Sequence, residues 1–205
     1  MDRRDDSLPD DFLRGLAALE ESYLSEEDPI RQSGYGGGAE RWRAERGIIL
    51  EAVDRDGDLL DIGCANGYLL ACLVAWGKEK GLSLAPYGLD QGAGLIALAK
   101  RRLPEYATHF WVANAWEWIP PRQFRYVYTL TEFVPEPFLT EYLRRLLARC
   151  VEPGGRLILG SYGSGSRNEP ARDVAAMLRE AGCPVPGAAQ QGWLPFTRIA
   201  WTDRA

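Results

Sequence analysis

From residue 58 onward, short apolar stretches alternate with longer segments of helical period, and this alternation restricts the fold more than any other feature. Residues 58–62, 84–89, 108–113, 124–130 and 156–162 read as strands. Residues 66–80, 95–103 and 138–150 read as helices between them, and Pro104 stops the second. A further helix at 170–181 starts with Pro170 and ends before Gly182. The tail, 186–203, reads as two short strands around Gly192 and Pro195, the last at 197–202. Strand and helix in strict turn imply a doubly wound, mostly parallel α/β sheet with helices on both faces. Ligands of such sheets bind outside the carboxyl ends of the strands, so Gly63, Asp90, Asn114 and Thr131 are expected around one crevice.

The segment before the alternation differs in kind. Phe12, Leu13, Leu16, Leu19 and Tyr23 recur at helical steps over 10–25, and Pro29 closes that helix. A glycine-rich loop, 33–38, leads into a helix at about 39–53 with Trp42, Ile49 and Val53 on one stripe. Residues 1–30 carry ten acidic and three basic residues, whereas the whole chain has a net charge of only -5. Residues 1–56 are therefore read as an acidic helical extension and 57–205 as the core. The extension is either a solvated leader or a lid over the crevice, with Tyr35 and the glycines 36–38 close to the ligand.

Composition removes several classes. At 205 residues, with 46% hydrophobic and 26% charged, the chain suits one globular domain. No run of about 18 apolar residues marks a membrane span, and the first residues have no apolar signal region. Cys64, Cys72, Cys150 and Cys183 show no paired spacing, and there is a single His, so a zinc site is not expected. Scattered cysteines suit a reducing cytoplasm. The near-neutral body disfavours nucleic acid as a partner, and Lys100–Arg102 and Arg144–Arg145 read as solvated helix faces.

Three segments carry chemistry. In Leu59-Leu60-Asp61-Ile62-Gly63-Cys64-Ala65-Asn66-Gly67 a strand ends in a tight turn that opens a helix. Gly63 and Gly67 allow a ligand close to the backbone. Asp61 puts a carboxylate where a pyrophosphate would be repelled, which favours a cationic or zwitterionic ligand over a dinucleotide. Tyr87-Gly88-Leu89-Asp90-Gln91 ends the second strand on an acid that can accept from both hydroxyls of a ribose, or cap the next helix. Ala113-Asn114-Ala115-Trp116 ends the third strand with an amide suited to an adenine edge and an aromatic ring that can cover it.

In order and spacing these segments resemble the motifs of the class I S-adenosylmethionine-dependent methyltransferases, with FRYVYTLTEFVP similar to the fourth strand and its exit and VEPGGRLILGSY to the fifth. The likeness spans about 57–162. It implies a Rossmann-like seven-stranded, mostly parallel sheet with an antiparallel last strand, and S-adenosylmethionine as cofactor with S-adenosylhomocysteine as product. Carried over residue by residue, it places Asp61, Gly63, Cys64 and Gly67 around the methionine end. Asp90 and Gln91 would meet the ribose, and Asn114, Ala115 and Trp116 the adenine. Thr129 would floor the sulfonium. Two positions depart from the pattern: Asn114 stands where an acid is usual, and Arg125 replaces the acid that opens the fourth strand.

Methyl transfer needs a base only when the acceptor carries a proton to be lost. His109 lies at the amino edge of its strand, away from the crevice. Glu132, in the loop after the fourth strand, is better placed as a catalytic candidate. Tyr35, Phe133 and Tyr162 are candidate substrate contacts, and Trp116 and Trp118 extend the apolar wall. Neither an Asn-Pro-Pro-Tyr box nor a Cys-Pro pair stands near the fourth strand, which weakens the readings as an amino-directed or cytosine-C5 nucleic-acid enzyme. The expected activity is methyl transfer to a small molecule by a monomer or homodimer. The alternatives are a cofactor-binding sensor or interaction domain without chemistry, or an RNA or protein methyltransferase.

Overall fold

The computed structural model describes residues 7–164, 167–192 and 196–205. Asp2, Asp5 and Asp6 of the acidic extension, and Pro195 of the tail, lie outside the described residues.

Seven strands form one sheet in the order β3-β2-β1-β4-β5-β7-β6. They are β1 (Gly57–Ile62), β2 (Leu84–Asp90), β3 (Phe110–Val112), β4 (Phe124–Leu130), β5 (Val151–Tyr162), β6 (Gly187–Gln191) and β7 (Thr197–Asp203). β1 pairs in parallel with both β2 and β4, and β4 in parallel with β5. β7 runs antiparallel to both β5 and β6. The strand order therefore reverses between β1 and β4, the place where a doubly wound sheet opens a crevice.

Alternation along the strands sends successive residues to opposite faces. Leu60, Ile62, Val127, Leu157 and Leu159 face α5 (Leu139–Arg149) and α6 (Val174–Glu180), packing with Leu143, Leu146 and Leu178. Leu59, Tyr126, Tyr128 and Ile158 face the other way, onto α3 (Tyr68–Glu79) and α4 (Ala93–Arg102) through Leu70, Leu73, Ile96 and Ala99. A 3-10 helix, Gly47–Ala52, completes this second core with Ile49, Leu50 and Ala52.

Several boundaries move for local reasons. The single helix expected over 39–53 divides at Gly47 into α2 (Ala39–Arg46) and the 3-10 helix, as suits a residue with weak helical preference. α6 begins at Val174 rather than near Pro170, because Asp173 caps it by accepting from the Ala176 N–H at 3.0 Å. β5 starts at Val151, and Glu152–Gly155 enter it as an irregularity: Phe124 pairs Val151 and Tyr126 pairs Arg156. β3 keeps only three residues. The first helix of the extension, α1 (Asp10–Leu24), lies across the crevice end of the sheet, close to α4.

Candidate functional site

β1 ends in a turn built from left-handed backbone. Gly63 has φ +82° and Gly67 φ +71°. Between them Ala65 sits at φ +45°, a region that costs a residue with a side chain about 1–2 kcal/mol. The turn is held from β2. The Gly63 and Cys64 N–H groups both donate to the Leu89 carbonyl, at 2.7 and 3.0 Å. Asp90 Oδ2 accepts the Ala65 N–H at 2.9 Å, while Asp90 Oδ1 accepts the Gly92 N–H at 2.8 Å. A methyl group at Gly63 would overlap the Phe133 ring, so this glycine serves both φ and close approach.

A cavity of about 150 Å3 opens at this end of the sheet. Of the residues singled out in the sequence, Gly63, Asp90, Gln91, Asn114, Ala115 and Phe133 line it. Asn114 Oδ1 accepts the Trp116 N–H at 2.8 Å, and its Nδ2 donates to Gln91 Oε1 at 3.2 Å. The ends of β2 and β3 are thus linked across the cavity wall.

Asp61 backs the turn from below, 3% exposed. Burial pushes its carboxyl well above the usual range, and the charge of Asp90 pushes it further. Asp90 is also raised, first by burial, against the pull of its backbone donors, with Glu20 adding to the rise. Among the described residues neither acid has an ion-pair partner, so both suit donors: Asp90 lines the cavity, where it can meet hydroxyls, whereas Asp61 lies behind the turn and is not among the cavity-lining residues.

Glu132 follows β4 between the cavity-lining Leu130 and Phe133, but is not itself among the residues that line the cavity. Its carboxylate accepts from Thr131 Oγ1 at 2.7 Å. The surrounding chain withdraws water from the carboxyl and raises its pKa, although the residue as a whole remains exposed.

Other expected contacts fall elsewhere. Thr129 is fully buried on the α5 face, 2.8 Å from the Tyr142 hydroxyl, so it does not floor the cavity. Leu130, one residue on and on the opposite face, lines it instead. Trp116 packs edge-on against Phe138, with Arg145 4.3 Å above its ring, away from the cavity. Cys64 is buried against the second core, and Gly67 lies against Ala99. Tyr162 bonds to the Tyr128 hydroxyl and is covered by the Arg46 guanidinium at 3.4 Å. Tyr35 joins the same group, its ring 5.3 Å from that of Trp42. Neither tyrosine lines the cavity; both pack on the Arg46 guanidinium instead. His109 stacks on Tyr87 at 3.9 Å, away from the crevice.

The extension supplies what the sequence did not assign. Leu16, Leu19, Glu20 and Tyr23 of α1, with Ser33, close the cavity from above. Asn66, buried in the turn, donates to the Pro29 carbonyl at 2.9 Å and to Gln32 Oε1 at 3.0 Å, tying the extension to the start of α3. The amphipathic pattern of 10–25 was the available signal, but it does not say which surface the helix covers.

No family model matches the chain, and no curated protein matches it. Solved structures do. The N-methyltransferase NodS from Bradyrhizobium japonicum, in complex with S-adenosylhomocysteine, superposes with a TM-score of 0.69 at 16% identity, over 92% of this chain and 97% of that one. The 1,6-didemethyltoxoflavin-N1-methyltransferase from Burkholderia thailandensis gives 0.66 at 13% identity, over 100% and 93%. Magnesium protoporphyrin IX methyltransferase from Synechocystis, with bound S-adenosylmethionine, gives 0.63 at 14% identity, over 97% and 99%. This chain has the fold of the class I S-adenosylmethionine-dependent methyltransferases.

Proposed function

We propose that the protein transfers a methyl group from S-adenosylmethionine to a small-molecule acceptor. The observation that carries this reading is the pairing of two acids without an ion-pair partner among the described residues, Asp61 and Asp90, near the carboxyl ends of adjacent strands around an open backbone turn. Asp61 suits the amino group of the methionine part, Asp90 the ribose, and the Gln91–Asn114 pair the adenine edge. The neighbours named for 1,6-didemethyltoxoflavin and magnesium protoporphyrin IX support a small-molecule acceptor.

The cofactor brings a methyl group already activated on sulfur, so the protein's work is placement. Asp61 and Asp90 fix the two ends of the ligand. α1 and Phe133 supply apolar cover to the cavity. Glu132, with its raised pKa, takes the acceptor's proton where there is one to lose. Within the extension, residues 1–56, α1 and Ser33 act as the lid on the core, residues 57–205, while Gly47–Ala52 pack into that core.

Calorimetric titration with S-adenosylhomocysteine, followed by isotope transfer from labelled S-adenosylmethionine into a metabolite extract, tests the reading. Micromolar binding and a labelled product support it. Binding without transfer marks a sensor, and no binding at millimolar concentration overturns it.

A further inference from the structure

Glu20, on α1, reaches across to α4. Its Oε1 accepts the Gly94 N–H at 2.9 Å, and the side chain lines the cavity next to Asp90. The seat for this contact is bare by construction. Gly92 has an ordinary φ of -74° and Gly94 lies inside α4, so neither is glycine for conformational reasons. A Cβ at Gly92 would approach Glu20 Cδ at 3.0 Å. One at Gly94 would meet Leu24 Cδ1 at 2.6 Å and Glu20 Oε1 at 3.2 Å. Glycine weakens a helix, and what it provides here is room for α1.

α1 itself is lightly held. None of its residues is buried, and Leu19 and Leu24 remain 46% and 41% exposed. A helix held this lightly over the cavity can lift to admit a ligand and reseat over it.

The contact leaves one Glu20 oxygen open beside Asp90. Both Asp90 oxygens already accept backbone N–H groups, from Gly92 and Ala65. Glu20 Oε2 has no hydrogen bond among the described residues, whereas Oε1 has one. A vicinal diol offers two donors, and a second nearby carboxylate with a free oxygen matches the second of them.

We propose that Glu20 is a ribose-binding residue delivered by the lid, which shares the ligand's vicinal diol with Asp90 only while α1 is seated on Gly92–Gly94. This rests on the adenosyl-binding reading above. The diol then bridges two like charges that otherwise repel across the gap, so ligand binding and lid seating favour each other.

Calorimetry with S-adenosylhomocysteine and hydrogen exchange over residues 10–24 test this on the full chain. In the wild type, S-adenosylhomocysteine should bind and slow exchange in α1. Glu20→Ala should bind about tenfold more weakly and lose that protection. Gly94→Ala, which replaces no cavity-lining residue and favours the helix but displaces α1 from its seat, should melt no lower than wild type yet also bind more weakly and lose protection. Wild-type binding with Glu20→Ala affinity within twofold, or with α1 protection intact, overturns the proposal alone. No binding by the wild type overturns it together with the adenosyl-binding reading.

Discussion

Asp90 Oδ2 and the Ala65 N–H lie 2.9 Å apart, so the acid expected to hold a ribose also props the strained turn expected to hold the methionine part. Ala65 stays at φ +45° because Asp90 rewards it with a charged acceptor. Binding and architecture are thereby linked in one side chain.

Asp90→Ala should accordingly fail twice. Loss of a buried acceptor for charged hydrogen bonds is worth about 1.5–3 kcal/mol, or roughly 10–100-fold in affinity for S-adenosylhomocysteine. The variant should also unfold at lower urea, since the Ala65 and Gly92 N–H groups lose their partner. Asp90→Asn keeps one carbonyl oxygen and should fall between. Calorimetry and urea titration of the two variants check the order, and an affinity equal to wild type for Asp90→Ala would remove the acid from the site.

Asp61 separates function from stability. Its carboxyl is raised well above the usual range by burial and then by Asp90, so the folded state without ligand holds this proton more tightly than the unfolded chain. Its contribution to stability is present below the unfolded value of about 3.9 and is lost as pH rises through the folded value. Asp54 works in the opposite sense: held at about 2, first by hydrogen bonds from Arg55 and Tyr126, it stabilises above its unfolded value and loses that effect as pH falls towards 2. A bound ammonium would reverse the rise at Asp61 and expel its proton, so affinity for S-adenosylhomocysteine should increase as pH rises through the raised value. Asp61→Asn should melt higher at neutral pH, bind more weakly and release fewer protons, as read by calorimetry in buffers of different ionisation enthalpy. A lower melting temperature would show that the native carboxylate has a counter-charge.

The sheet and the acids at its carboxyl edge were legible in the sequence, because a strand exit, a glycine turn and an acid at fixed spacing are local features. Side-chain direction was not. Thr129 and Leu130 differ by one step on β4, and that step decides between Tyr142 and the cavity. Trp116 was ambiguous in the same way, because a ring just past a strand can turn to either side of the sheet. The Glu20–Gly94 contact spans 74 residues, and nothing within 10–25 names its partner. The glycines at 92 and 94 were the trace of it, but their reason appears only once α1 is docked on them.

Glu132 makes a prediction about rate. Its raised pKa places the change from acid to base above the ordinary range for Glu. Where the acceptor loses a proton, transfer from labelled cofactor should rise with pH across that interval and then level off. Glu132→Gln should lower the plateau by about 10²–10⁴-fold, with affinity for S-adenosylhomocysteine unchanged. A full plateau rate in the variant would mean that the acceptor needs no base.

The contact between Gly63 and Phe133 can be divided into strain and overlap. Gly63→Ala meets two penalties: φ +82° disfavours any side chain, and the new methyl group collides with the Phe133 ring. The first costs about 1–2 kcal/mol, and the second adds about 1–3 kcal/mol if the ring cannot move away. Phe133→Ala removes the collision and leaves the strain. In urea titrations, Gly63→Ala should therefore cost more in the wild type than in the Phe133→Ala background, with a coupling of at least 1 kcal/mol between two directly touching groups. Coupling near zero would show that Phe133 swings freely off the turn. That same freedom would let the ring move aside for the methionine part of a ligand, so Phe133→Ala would then leave S-adenosylhomocysteine affinity unchanged, whereas a ring fixed on Gly63 predicts a measurable change.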